Sequence, residues 1–179
     1  MLQDIREVLI SKEAIEAKTK ELAERISRDY KGKDLLVVGV LKGSVIFASE
    51  LIRNITIPCE IDFMAVSSYG SSSETTGVVR ILKDLDSEIS GKHILIVEDI
   101  VDSGVTLSYL LNYLKTRNAS SVEIASLLTK PFRRKVDIDC KYVGFETPDE
   151  FLVGYGLDYA EKYRNLPFIG ILKREVYEK

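Results

Sequence analysis

Two unbroken apolar runs limit what this chain can fold into more than any other feature: LLVVGVL at 35–41 and HILIV at 93–97. A strand with one wet face alternates apolar and polar residues. A short continuous run bounded by turn signals instead suits a strand covered on both faces, the kind found in parallel sheets. Gly32-Lys33-Asp34 and Gly91-Lys92 supply the turn signals ahead of the two runs. Each run also leads into a stretch with helical spacing, 44–55 after the first and 105–118 after the second. Those helices lead in turn to the β-branched and aromatic runs at 60–67 and 121–130. The pattern predicts two βαβ units and an α/β domain.

The rest of the chain fits around these units. Ile15, Leu22, Ile26 and Tyr30 recur at helical spacing, predicting a helix over 11–30 with Ser11 as its N-cap. Residues 67–77 hold seven Ser or Thr and two Gly, too small and polar to pack, which predicts an exposed loop. Residues 78–86 alternate like a half-exposed strand, 132–146 contain one more short apolar run, and 152–159 and 168–173 are strand-like pieces. With no repeat, heptad or long linker, the expectation is one domain whose tail and N-terminal helix form an accessory lobe.

Charge narrows the partners. Twenty-eight acidic against 25 basic residues leave a net charge of −3, which argues against a protein that grips nucleic-acid phosphates through a basic face. The run Arg133-Arg134-Lys135 is too short to reverse that. The first residues, MLQDIREVLISKE, lack the basic start and apolar run of a signal peptide, and no segment reaches the length of a membrane span. Cys59 and Cys140 stand far apart, reading as small buried hydrophobes in a reducing cytoplasm. The single histidine, His93, reads as a strand-end residue, which leaves no multi-histidine metal site.

The chemistry concentrates in VEDIVDSGVTL, 97–107. Glu98, Asp99 and Asp102 close a buried strand, and Ser103-Gly104-Val105-Thr106 opens a helix. In an open α/β sheet, ligands bind at that strand-to-helix crevice. The turn offers backbone N–H groups, two hydroxyls, a glycine and the positive end of a helix dipole, a cradle for phosphate. Carboxylates repel phosphate, so Glu98 and Asp99 suit sugar hydroxyls or a divalent cation. A phosphorylated sugar satisfies both halves. Taken singly, each residue has a plainer reading as an N-cap or a solvated acid; the combination on one strand end favours the site. No GxxxxGK[S/T] is present, and Gly154-x-Gly156 lacks a third glycine and a following helix.

VEDIVDSGVTL resembles the phosphoribosyl-pyrophosphate signature of the type I phosphoribosyltransferases, and the chain resembles their hypoxanthine-guanine branch nearly end to end. The other matches are Leu41-Lys42-Gly43-Ser44, Ser68-Tyr69, Leu128-Thr129-Lys130-Pro131, and Phe151 to Tyr159 followed by Arg164. The resemblance implies the type I phosphoribosyltransferase fold, a mainly parallel central sheet flanked by helices with a small hood lobe. It implies a single domain over 1–179, the hood drawn from the N-terminal segment and residues from about 146 to 179. The implied reaction is purine salvage: phosphoribosyl transfer from phosphoribosyl pyrophosphate to N9 of hypoxanthine or guanine, with Mg²⁺, in a cytoplasmic homodimer or homotetramer.

Residue roles follow from the same resemblance. Glu98 and Asp99 lie at the ribose and metal, Ser103 to Thr106 at the 5′-phosphate, and Lys42, Gly43 and Arg164 at the pyrophosphate. The Leu41–Lys42 peptide is often cis in the family. Asp102 is the general base near purine N7. Lys130 donates to O6, Phe151 stacks on the base, the Leu152 backbone meets its edge, and Asp158 lies near the 2-position and a second metal. Ser68 and Tyr69 open a lid over the reaction. Two positions depart from common family residues: Val105, where a polar or basic residue is frequent, and Leu152, where valine is. The rival readings are a xanthine-preferring relative, a nucleic-acid-binding regulator of the same fold, disfavoured by the acidic charge, and a response-regulator-like module, which leaves Lys42, the polar loop and the tail unexplained.

Overall fold

The computed structural model describes residues 1–68 and 79–178. Of the expected lid, Tyr69 lies outside them, and Ser68 ends a strand. In chain order the elements are β1 (Ile5–Ile10), α1 (Lys12–Asp29), β2 (Leu35–Leu41), α2 (Val45–Asn54), β3 (Glu60–Ser68) and β4 (Val79–Lys83). There follow β5 (His93–Val101), α3 (Val105–Lys115), β6 (Ser121–Thr129), β7 (Tyr142–Glu146), β8 (Leu152–Val153), β9 (Ile169–Leu172) and α4 (Arg174–Tyr177).

The main sheet has strand order β4-β3-β2-β5-β6-β7, parallel except for the edge strand β4. The unbroken runs sit at its centre because both faces are covered. Along β2, Leu35 and Val37 face one core with Leu95 and Val97 of β5, Phe47 and Leu51 of α2, and Ile15, Leu22 and Ile26 of α1. The intervening Leu36, Val38 and Val40 face the other, with Ile94 and Ile96 of β5 and Leu107, Leu110 and Leu114 of α3. Alternate residues of one apolar strand thus feed two helical layers.

A second, antiparallel sheet of order β1-β9-β8 joins the two ends of the chain, Ile10 pairing with Ile169 and Leu152 with Ile171. Here the sequence expectation needs correcting. The N-terminal helix does not belong to this lobe; α1 packs on α2 and β7 against the main sheet, because its apolar stripe matches that core. The lobe is joined instead by β1, whose charged IREVLI segment gives little local strand signal. The tail piece 152–159 is a strand only at Leu152–Val153, since Gly154, Tyr155 and Gly156 all take positive φ and turn the chain.

Smaller expectations hold. Ser11 caps α1, its Oγ accepting from the Ala14 N–H at 3.2 Å. His93 begins β5 and lies 2.7 Å through Nδ1 from Ser121 Oγ. The cysteines depart from the buried reading: both are free and only partly buried, though burial still pushes the Cys140 thiol up to about 11. Among the described residues, no helix is long and apolar enough to cross a membrane.

Candidate active site

The register of the sheet sets the site. Gly39 of β2 pairs with Val97 of β5, so the 42–44 turn and the acids at 98–99 leave neighbouring strands at the same end. Val101 pairs with Thr129, and the Lys130 N–H donates to the Val101 carbonyl at 2.9 Å, setting Asp102 beside Lys130. From β2 the chain crosses to β3 on one side, and from β5 to β6 on the other. The crevice between β2 and β5 is thus the topological switch point, where α/β sheets bind ligands.

Glycine is required where the loops meet. The Leu41–Lys42 peptide is cis, and a Cβ at the following Gly43 would lie 1.8 Å from Asp99 Oδ2; one at Gly156 would lie 2.0 Å from the Gly43 carbonyl oxygen. The 42–44 turn is thus clasped between the acidic strand end and the 154–158 loop. At the phosphate turn, Gly104 takes φ +82° and caps α3, and a Cβ there would meet the Val136 carbonyl at 3.0 Å. The N–H groups of Lys135 and Val136 donate to the Ser103 carbonyl at 2.9 and 3.2 Å, bracing the turn from below. Ser103 Oγ accepts from the Val105 N–H at 3.4 Å. Neither the braces nor the α3 N-terminus uses the Val105 side chain.

Two groups of predicted residues converge. Asp102, Lys130, Phe151, Leu152 and Asp158 line one open cleft of about 410 Å³, to which Arg133 also contributes. Lys130 is 6% exposed, and its ammonium donates to the Glu150 carbonyl at 2.7 Å. Burial, then the charge of Arg133, holds its pKa below the usual lysine range. Phe151 stacks on Tyr177 with centroids 4.8 Å apart and meets Tyr159 edge-on at 5.5 Å. The second group is cationic: Lys42 Nζ lies 3.0 Å from Glu161, and Arg164 lies 2.9 Å from Asp158 and 3.4 Å from Glu161 while donating to the Gly156 carbonyl at 2.7 Å.

Glu98 and Asp99 are strongly perturbed. Burial first, and then the charge of Asp99, holds the Glu98 carboxyl well above its ordinary range. Burial also raises Asp99, opposed by the Ile100 N–H, which it accepts at 2.7 Å, and by Arg164. Glu98 and Asp99 sit together on the β5 end, with Asp158 on the separate 154–158 loop, and among the described residues no group of three or more metal-ligating side chains occurs. Asp158 is instead committed to Arg164 and to the Glu161 N–H at 2.8 Å. Two adjacent carboxylates that burial disfavours as anions suit a cation that takes its remaining oxygens from a ligand or water, as Mg²⁺ does.

Several participants escaped sequence reasoning. Glu161 faces both expected pyrophosphate cations, and its signal, two acids followed by two bases through 158–164, reads as a solvated face. Tyr177 covers Phe151 from α4. Arg133 and Arg134, read only as part of a short basic run, diverge: Arg133 turns to Asp102 and Asp149, while Arg134 runs beneath Gly104 and donates to Thr129 Oγ1 at 2.8 Å.

A phosphate-turn helix at a switch point, acids on the strand before it and a hood carrying an arginine define a phosphoribosyltransferase. Residues 8–160 match the family described as the phosphoribosyl transferase domain, and the chain belongs to it. Within that family it belongs to the hypoxanthine-guanine phosphoribosyltransferases, enzymes of the pentosyltransferase class. It is 54% identical over 178 residues, 99% of each chain, to that enzyme of Bacillus subtilis, and 52% identical over 177 residues to that of Streptococcus thermophilus, covering 99% of this chain and 98% of the relative. A crystal structure of a hypoxanthine phosphoribosyltransferase from Staphylococcus aureus superimposes with a TM-score of 0.98 at 53% identity, covering 100% of this chain and 97% of the other. One from Trypanosoma cruzi gives 0.93 at 40%, covering 98% and 95%.

Two outcomes follow from this geometry. Gly43→Ala costs about 1–3 kcal/mol of stability through overpacking against Asp99, and the shifted loop lowers turnover by roughly 10²-fold, read by thermal melting and steady-state assay. Because the Glu98 carboxyl is raised on folding, the folded state holds its proton more tightly, so its stability falls as pH rises above the ordinary 4.5. Glu98→Gln therefore raises the melting temperature of the ligand-free protein by about 2–4 °C near neutral pH. The difference closes near pH 4, where the carboxyl is protonated in both states; an equal gain at both pH values would contradict the coupling.

Proposed function

We propose that this cleft transfers the 5-phosphoribosyl group of phosphoribosyl pyrophosphate to N9 of hypoxanthine or guanine, giving IMP or GMP and pyrophosphate. The observation that carries the reading is that Asp102, immediately before the phosphate turn, lines one cleft with a buried Lys130. A 6-oxopurine meets both at once. Lys130 donates to O6, a contact the 6-amino group of adenine cannot accept, which sets the preference. Asp102 accepts the proton shed by the imidazole ring at N7 as N9 attacks C1′. The bond from C1′ to the pyrophosphate oxygen breaks as the C1′–N9 bond forms, and the leaving group carries off the electron pair.

The other residues serve the sugar and the leaving group. Ser103 to Thr106 hold the 5′-phosphate at the α3 N-terminus, and since those contacts are backbone and hydroxyl, Val105 is compatible with them. Glu98 and Asp99 take the ribose 2′- and 3′-hydroxyls, and their charge favours the positive character that develops on the ring as pyrophosphate departs. Lys42, the Gly43 backbone and Arg164 take the pyrophosphate, displacing Glu161 from the two cations. Arg164 Nε is buried and without a partner among the described residues, which supports an anion-directed role. Phe151 offers the base its free ring face, since Tyr177 covers the other, and the Leu152 backbone meets the base edge, with Asp158 nearby. The Glu98–Asp99 pair would hold Mg²⁺, which would supply charge neutralisation for the departing pyrophosphate. We read the enzyme as one domain over 1–179 acting as a cytoplasmic homodimer or homotetramer, its free thiols consistent with a reducing compartment.

The test is nucleotide formation from phosphoribosyl pyrophosphate, Mg²⁺ and each base in turn. Hypoxanthine and guanine give product and adenine gives none; a folded sample inert toward both 6-oxopurines overturns the reading. Asp102→Asn lowers kcat by about 10²-fold and leaves the affinity for phosphoribosyl pyrophosphate within about twofold. Lost affinity with normal kcat would refute the proton role.

A further inference from the structure

Asp102 does not stand alone in the cleft. Its Oδ2 lies 3.5 Å from Nη1 of Arg133, while Oδ1 is buried and has no hydrogen-bond partner among the described residues. The same guanidinium lies 2.6 Å through Nε from Asp149 Oδ1. One planar cation therefore bridges an acid on the loop after β5 and an acid on the loop before β8. Arg133 belongs to the short turn that follows Lys130, and Lys130 itself is fastened to the Asp149 loop through the Glu150 carbonyl. Two cross-links thus run side by side from the end of β6 to the base-binding loop, one through a lysine reaching a carbonyl and one through an arginine reaching a carboxylate.

We propose that Arg133 is the positioning residue for Asp102: it holds Oδ2, the oxygen that carries the carboxylate's exposure, and so fixes the rotamer, and Asp149 holds Arg133 in place. This rests on the reading of Asp102 as proton acceptor. Arg133 and Asp102 are each about half exposed, at 49% and 46%, so their pairing adds little to stability. Its effect falls on geometry instead, where a small displacement of a reacting group is costly. A guanidinium suits the bridge because its fork reaches two carboxylates in one plane, which an ammonium does not. The charged groups that share the neighbourhood are Lys130, Asp149, Glu150 and, also lining the cleft, Asp158, Arg174 and Glu178.

The test is a double-mutant cycle read in kcat, in KM for phosphoribosyl pyrophosphate and in melting temperature. Arg133→Gln lowers kcat about tenfold, with the KM and the melting temperature nearly unchanged. Arg133→Lys recovers part of the loss. In the Asp102→Asn background, Arg133→Gln costs nothing further, because the group it positions is gone. Asp149→Asn lowers kcat less than Arg133→Gln does and adds nothing to it. If Arg133→Gln does not fold, Asp149→Asn takes its place in the cycle with Asp102→Asn. Normal turnover in Arg133→Gln, or losses that multiply with those of Asp102→Asn, overturn the positioning role while leaving Asp102 as acceptor. Normal turnover in Asp102→Asn alone overturns the acceptor reading and the positioning role together.

Discussion

Position 43 has room for a hydrogen and nothing larger, and that limit holds three loops in one arrangement. The turn after β2 lies against the carboxylate of Asp99 on one side and against the 154–158 loop of the hood on the other. Close packing of backbone on backbone leaves little freedom for any of them to shift alone. Lys42, the paired acids and Arg164, drawn from three distant parts of the chain, thereby face one another. The parallel sheet supplies the coarse alignment through its register; the glycine contact supplies the fine one.

Charge is distributed around that contact in a way that works against the resting protein. Glu98 and Asp99 share a desolvated strand end, where burial raises both carboxyls and the charge of Asp99 raises Glu98 further. Arg164 sits near enough to offset part of this, yet is also held by Asp158 and Glu161. The site is thus assembled from groups whose best partners are not each other. On the proposed reading, a sugar diphosphate with its cation would offer oxygens to Arg164 and Lys42, hydroxyls to the acids and positive charge between them. The balance is the usual one for a functional site, which gives up stability for pre-arranged chemistry.

The central architecture was legible because burial on both faces leaves an unbroken apolar signature, as in 35–41 and 93–97, and helical spacing between runs fixes the βαβ connection. The phosphate turn and its acids were legible because several uncommon choices fall together within 97–107. What escaped was pairing at a distance. The IREVLI strand is short and one-third charged, and its partner is β9, so nothing nearby announces it. The amphipathic stripe of α1 predicts a helix but not which sheet it covers. Arg133, Asp149 and Glu161 are ordinary surface charges until the fold brings them to the cleft, and sequence alone gives a solvated arginine and a paired one the same letter.

The hood sheet is made by the first strand of the chain and one of its last, with Ile10 beside Ile169. During synthesis, β1 leaves the ribosome long before β9 exists, whereas α1, β2, α2 and β3 can begin packing as soon as they emerge. The lobe that brings Arg164 and Phe151 to the cleft is therefore the last part to close. A nascent chain interrupted before β9 would carry a nearly complete core and the whole phosphate turn, but no hood sheet, so the cleft is completed only once β9 has been made.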